Sequence, residues 1–181
     1  MVKRTHGFYT CLSPRSEHLK AYCLHVNKQV VLDQIIATLT TELSALTRAA
    51  NDAFAAATDP DSKAENKYDT RSLEASYVAR GQAQRVAELQ EAVHVFKAMS
   101  GEPQPADSPI GMGSLVSLDT PEGRAHYLIA AHAGGTEVQV DGHDLYVITI
   151  ASPLGQRLQG LHVGDRLLLR PGIQATVASV C

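Results

Sequence analysis

From Gln29 onward, apolar residues recur at alternating steps of four and three: Leu32, Ile36, Leu39, Leu43, Leu46, Ala50 and Ala53. Such steps keep the apolar side chains on one face, the a/d seam of a helix lying along a partner. The stretch TDPDSKAEN then breaks the pattern. Pro60 cannot continue a helix and pushes the preceding residue out of the helical region. Asp61 or Ser62 can cap the next helix by accepting a free backbone N–H. The alternation resumes through Tyr68, Ser72, Ala75, Ala79, Gln82, Val86, Leu89, Val93 and Phe96. The first seam runs from bulky to small and the second from small to bulky. Folding one back on the other therefore sets alanine against alanine near the turn and aliphatics together at the base. The pattern predicts an antiparallel coiled-coil hairpin over residues 27–100, roughly 45 Å long at ~1.5 Å per residue.

GEPQPADSP, from Gly101 to Pro109, reads as a Pro-rich linker over residues 101–110. Past it, the period becomes two. Ser114–Leu118, Ala125–Ala131, Thr136–Val140 and Leu145–Ile150 read as strands, with turns at Pro121-Glu122-Gly123, Gly134-Gly135 and Asp141-Gly142. SPLGQRLQG predicts a short helix with Ser152 as N-cap and Pro153 at its first position. Arg166–Arg170 and Gln174–Val180 complete the strands, joined through Pro171-Gly172. The fold class is α+β, with the hairpin followed, over residues 111–181, by an antiparallel sheet domain carrying one helix.

Residues 1–26 show no sustained periodicity and predict a poorly ordered extension with no assigned role. Cys11, His18, Cys23 and His25 fall there, but without the close CxxC pairing of structural zinc modules. Net charge is -3, which argues against a general nucleic-acid binder, because such a protein needs a basic surface to neutralise phosphates. No apolar run approaches the ~20 residues of a membrane span, and the N-terminus lacks the apolar core of a signal peptide. Three cysteines, Cys11, Cys23 and Cys181, at unremarkable spacing predict free thiols in a cytoplasmic protein.

Two segments carry candidate chemistry. At the hairpin turn, Asp59, Asp61 and Glu65 sit close together with Lys63 and Asn66 among them and Tyr68 just beyond. Grouped carboxylates suit a hard divalent cation such as Mg²⁺, although two are too few to hold it without a second party. The alternative is plain helix capping, with acids favouring the positive end of the helix dipole. The second segment, SPLGQRLQGLHVGD from Ser152 to Asp165, is chemically a capped helix and a tight turn into a strand, with no nucleophile–base pair.

The tip SKAENKYDTR resembles the Glu-Asn-containing tip of the Gre family of transcript cleavage factors. SPLGQRLQGLHVGD resembles that family's C-terminal Ser-Pro, helix, Val-Gly-Asp segment. The likeness spans about residues 29 to 180, and the C-terminal motif is its more specific half. It implies an FKBP-like C-terminal domain that docks on RNA polymerase core enzyme at the secondary channel through Ser152, Pro153, Leu154, Val163, Gly164 and Asp165. It further implies a hairpin that reaches down that channel, with an acidic tip sharing the polymerase's Mg²⁺ near the 3′ end of nascent RNA. The ion would activate water and stabilise developing charge. By the same resemblance, Asp61 and Glu65 are the shared Mg²⁺ ligands, with Asp59, Lys63, Asn66 and Tyr68 beside them.

Glu65 and Asn66 match the family's Glu-Asn pair. The family's other key acid falls on Ser62 here, with Asp61 one residue further out, so cleavage stimulation is weaker than polymerase binding as an expectation. Two roles stay open: stimulating cleavage of backtracked RNA, or occupying the channel without cleavage. The protein is then a monomeric, cytoplasmic transcription elongation factor, with no catalytic residues or tightly bound cofactor of its own. The family-level association with DNA comes only through the polymerase. Prolyl isomerisation needs an aromatic-lined pocket, toward which the domain offers only Tyr127 and Tyr146. His126, His132 and His143 read as isolated surface or satisfied core groups, and Tyr68 and Tyr77 as packing within or beside the rod.

Overall fold

The computed structural model describes residues 27–58, 71–105 and 107–181. Two long helices come first, α1 over Lys28–Thr58 and α2 over Arg71–Ala98. Asn27 starts α1: its carboxamide oxygen accepts from the Gln29 N–H at 2.9 Å and its carbonyl from Val31 N–H at 3.1 Å. The two seams meet as the residue pattern predicts. Leu32, Leu39, Leu89, Val93 and Phe96 are buried at the base, while Ile36, Leu43, Leu46, Ala50, Ala53, Ala79, Gln82 and Val86 are half-buried further along.

The strands are β1 Leu115–Thr120, β2 Gly123–Ala130, β3 Glu137–Val140, β4 His143–Thr149, β5 Arg166–Arg170 and β6 Ile173–Val180, with the short helix α3 over Pro153–Leu158 between β4 and β5. They form one sheet in the order β3-β4-β2-β1-β6-β5. Eight of the predicted strand ends move by one or two residues, within the ordinary fraying of element boundaries. The pairing departs from expectation in one respect. The sheet is mixed rather than antiparallel, because β2 pairs β4 in parallel, from His126↔Leu145 to Ala130↔Thr149. The β3–β4 hairpin turns tightly at Asp141 and Gly142, both at positive φ (52° and 78°), as a two-residue hairpin requires. The longer β4, whose Leu145 and Val147 are buried, takes the interior position, and the four-residue β3 takes the edge.

Alternation divides the sheet into two faces. Leu115, Leu128, Ala130, Leu145 and Val147 join Val138 and Val140 against the hairpin base, in one core with Val31, Leu32, Ile35, Leu39 and Phe96. Val116, Leu118, Ile129, Val177 and Val180 form the core on the other face, with Leu158 of α3 and Ile110. Residues 101–110 are tied at both ends. The Lys28 ammonium donates to the Glu102 carbonyl at 3.3 Å, and Ile110 exchanges backbone hydrogen bonds with Leu161 and Gly160 at 2.8 Å each. Burial lowers the Lys28 pKa.

Two findings bear on the expectations about cysteines and membranes. Cys181 is buried and disulfide-bonded, with its partner outside the described residues; it is not a free thiol. Cysteine count and spacing carry no information on which sulfurs the tertiary fold brings together. The stretch Lys28–Ala55 of α1 is long and apolar enough by composition to cross a membrane, with a mean hydropathy of 1.2 in its most apolar window. Its large aliphatics Val31, Leu32, Ile35 and Leu39 are buried in protein, while Asp33, Glu42, Arg48 and Asp52 lie exposed. That distribution is the one of an amphipathic helix that packs on protein by one face.

Candidate functional site

The candidate tip, Asp59, Asp61, Lys63, Glu65, Asn66 and Tyr68, lies outside the described residues. What is described is the stem that leads to it. The 31 residues of α1 correspond to about 46 Å of helix. Arg85 of α2 ties the two helices together across the surface, reaching Glu42 of α1 at 3.4 Å and Glu88 of its own helix at 3.6 Å. All three are about half exposed, so the pairs contribute little stability and act mainly on register. Nearer the far end, Phe54, Tyr77 and Val78 are exposed. Tyr77 was expected to pack within or beside the rod; it projects into solvent instead, 67% exposed.

The candidate docking motif is fully described, and its two halves rest on one core. Ser152 caps α3: its hydroxyl accepts from the Gly155 N–H at 3.0 Å and donates to the Thr149 carbonyl at 2.7 Å. Pro153 follows at the first helical position, where its missing N–H costs nothing. Gly155 is required by contact: a Cβ there would collide with the Thr149 carbonyl oxygen. Leu154 and Val163 both pack on the core of the α3-side face. Gly164 sits at φ 93°, a left-handed value that favours glycine. Asp165 closes the turn by accepting from the His162 N–H at 2.8 Å. Local chemistry thus accounts for Ser152, Gly155, Gly164 and Asp165 as fold residues. Pro153, Gly164 and Asp165 remain exposed and Leu154 and Val163 half-exposed. The segment holds no nucleophile–base pair.

Tyr127 and Tyr146 come together with ring centroids 6.2 Å apart, lining a shallow cleft with Ile148 and Ser152. Glu137, opposite Tyr146 in the β3–β4 register, accepts its hydrogen bond and raises the phenol pKa. A polar groove of about 550 Å³ lies where hairpin and sheet meet, with Glu42, Arg85, Glu88, His132 and Glu137 on its walls.

Several working residues escaped the sequence reading. Val31 and Ile35 are fully buried in the core that hairpin base and sheet share; their spacing of four, one step before each seam residue, was the available signal. Arg157 donates to the Leu168 and Leu169 carbonyls at 3.0 and 3.1 Å, covering acceptors of the edge strand β5 that could otherwise pair with another chain. No local pattern announces that contact, because it joins a helix to a strand eleven residues on.

No protein-family model matches this sequence, and no curated protein does. Solved structures similar to it include the GreA factor homolog 1 (Gfh1) protein of Thermus thermophilus. That protein is 21% identical, with 81% of this chain and 94% of the other covered and a TM-score of 0.33. Thermus aquaticus Gfh1 is also 21% identical, over 80% and 92% of the two chains, with a TM-score of 0.34. The prokaryotic transcription elongation factor GreA/GreB from Nitrosomonas europaea is 18% identical, over 60% and 88%, with a TM-score of 0.31. These are factors of the kind that the two motifs resemble. Identities and TM-scores at this level carry no residue role over to this chain.

Proposed function

We propose that this protein is a Gre-type factor that binds RNA polymerase core enzyme at the secondary channel and regulates transcript elongation. The observation that supports this most is the stem. A long, thin hairpin with an alanine-rich far half is rooted by its base in a sheet domain, an arrangement built for reach rather than for a catalytic pocket. The sheet domain presents the Ser152-Pro153-Leu154 and Val163-Gly164-Asp165 surface for docking. Asp61 and Glu65 are the tip residues that would share a polymerase Mg²⁺. As carboxylates they fit a hard cation, and being only two they need the polymerase's own ligands to complete the shell. When bound, the ion supplies an activated water at the 3′ end of nascent RNA. The protein itself is a monomeric, cytoplasmic effector that acts on another enzyme's active site.

Direct competition tests this reading. Purified protein should bind core polymerase and displace a known channel occupant, and Pro153→Ala with Asp165→Ala should weaken binding. Absence of both binding and competition sinks the proposal. Backtracked elongation complexes then separate the two roles. Shortening of RNA that Asp61→Ala and Glu65→Ala abolish, with binding intact, supports cleavage stimulation. Binding without shortening supports a channel-occupying regulator, the role that Ser62 in place of the family's second acid favours.

A further inference from the structure

His126 and His143 were expected to be isolated, either at the surface or satisfied in the core. His143 does lie at the surface, but the two rings are not isolated, and His126 is buried without being satisfied. Their ring centroids lie 5.3 Å apart, His126 on β2 and His143 at the start of the parallel neighbour β4. The register sets His126 beside Leu145, so His143, two residues earlier, shares that face of the sheet. On its other side His126 faces Ser117 of β1, directly opposite in register, whose hydroxyl lies 2.9 Å from Nδ1. The His126 side chain is only 7% exposed, and its Nε2 is buried with no hydrogen-bond partner. Buried polar atoms are seldom left this way, and each instance calls for a physical reason.

In the tautomer whose Nδ1–H donates to the Ser117 hydroxyl, the lone pair of His126 sits on Nε2. One ring nitrogen anchored by a hydrogen bond and the other open is the arrangement that orients a metal-bound histidine. The spacing agrees. At a Zn–N distance of about 2.0–2.1 Å, two imidazoles on one tetrahedral ion have ring centres roughly 5 Å apart. Burial, then the proximity of His143 and Arg124, lowers the His126 pKa, against an opposing effect of Asp119. Asp119 is engaged by Arg124 at 2.8 Å.

We propose that His126 and His143 form a two-histidine site for a borderline divalent ion, Zn²⁺ being the natural occupant, with Ser117 as a positioning residue. Imidazole nitrogen suits Zn²⁺, Ni²⁺ and Cu²⁺ and discriminates against Mg²⁺ and Ca²⁺, so this site is chemically separate from the acidic tip. Among the described residues no group of three or more His, Cys, Asp or Glu side chains is arranged to hold a metal. The remaining coordination positions therefore fall to water or to a ligand from a partner, and the ion exchanges readily. The site bridges the parallel β2–β4 pair, and His143 opens it to solvent.

The full chain, stripped of metal with a chelator, is titrated with ZnCl₂ by calorimetry and by histidine-resolved NMR. The chain has eight histidines, so variants are needed to locate the ion. His143→Ala, an exposed position, should weaken Zn²⁺ binding at least tenfold while the metal-free melting temperature stays put. Ser117→Ala should weaken it severalfold, and His132→Ala should leave it unchanged. In the wild type, the His126 and His143 ring signals should shift together in the presence of Zn²⁺ and not in that of MgCl₂. Zn²⁺ that binds His143→Ala as tightly as wild type, or that leaves both ring signals unmoved, overturns the assignment. The NMR measurement on unaltered protein decides the matter even where a variant fails to fold.

Discussion

The base and the far half of the hairpin are the same two helices, and they are stabilised in different ways. At the base, Leu32, Leu39, Leu89, Val93 and Phe96 are buried between the helices, while Val31 and Ile35 extend the same core into the sheet. In the far half the seam thins to Ala50, Ala53 and Ala79, all half-buried, around Gln82. Each buried large aliphatic contributes about 1.5–3 kcal/mol, and an alanine far less. The rod is therefore held as a cantilever: its anchorage is paid for by the sheet, and its length adds reach rather than stability. Gln82 underlines the contrast, since its Oε1 is buried with no hydrogen-bond partner.

The largest expected effect tests that contrast directly. Phe96→Ala should cost about 3–5 kcal/mol of unfolding free energy, measured by urea denaturation, against about 1 kcal/mol for Ala79→Gly in the far half. Equal costs would erase the distinction between base and far half. Next comes the sheet domain's own rigidity. Gly155→Ala forces a collision with the Thr149 carbonyl and should destabilise by about 1–3 kcal/mol, with loss of polymerase binding if the α3 surface is the docking element. A smaller change of opposite sign sharpens the comparison. Gln82→Leu removes a buried unpaired acceptor and should raise stability by about 1 kcal/mol.

The smallest effect is a pH dependence confined to the sheet. The folded-state pKa of His126 lies below its ordinary value, so the unfolded chain takes up the proton first as pH falls through about 6.5. Stability should be flat with respect to this group above that pH and should decline below it. His126→Asn should flatten the decline between pH 7 and pH 5; an unchanged slope would show that other groups carry it.

Much of this architecture was legible in the residues. Opposed gradients of side-chain size in the two seams dictate antiparallel pairing, because only that arrangement matches bulky to bulky and small to small. Strand period, the Ser152-Pro153 start of α3 and the Asp141-Gly142 turn were likewise readable, since each depends on the backbone preferences of a few neighbouring residues. The Ser152–Asp165 segment was legible as a motif, though Ser152, Gly155, Gly164 and Asp165 are held in place by turn and cap chemistry that any such fold would need.

What the chain determined alone is local: which side chains share a face, where helices start and stop, and where the backbone must turn. Tertiary structure decided which faces meet. A period of two says that His126 and Leu128 face one way, but not that β4 slots in parallel beside them and brings His143 within 5.3 Å. Helical spacing orients Val31 and Ile35 without naming the sheet as their partner, and three scattered cysteines do not reveal that Cys181 is bonded. Periodicity encodes direction relative to a single element's axis, whereas neighbours across elements are chosen by the packing of the whole core.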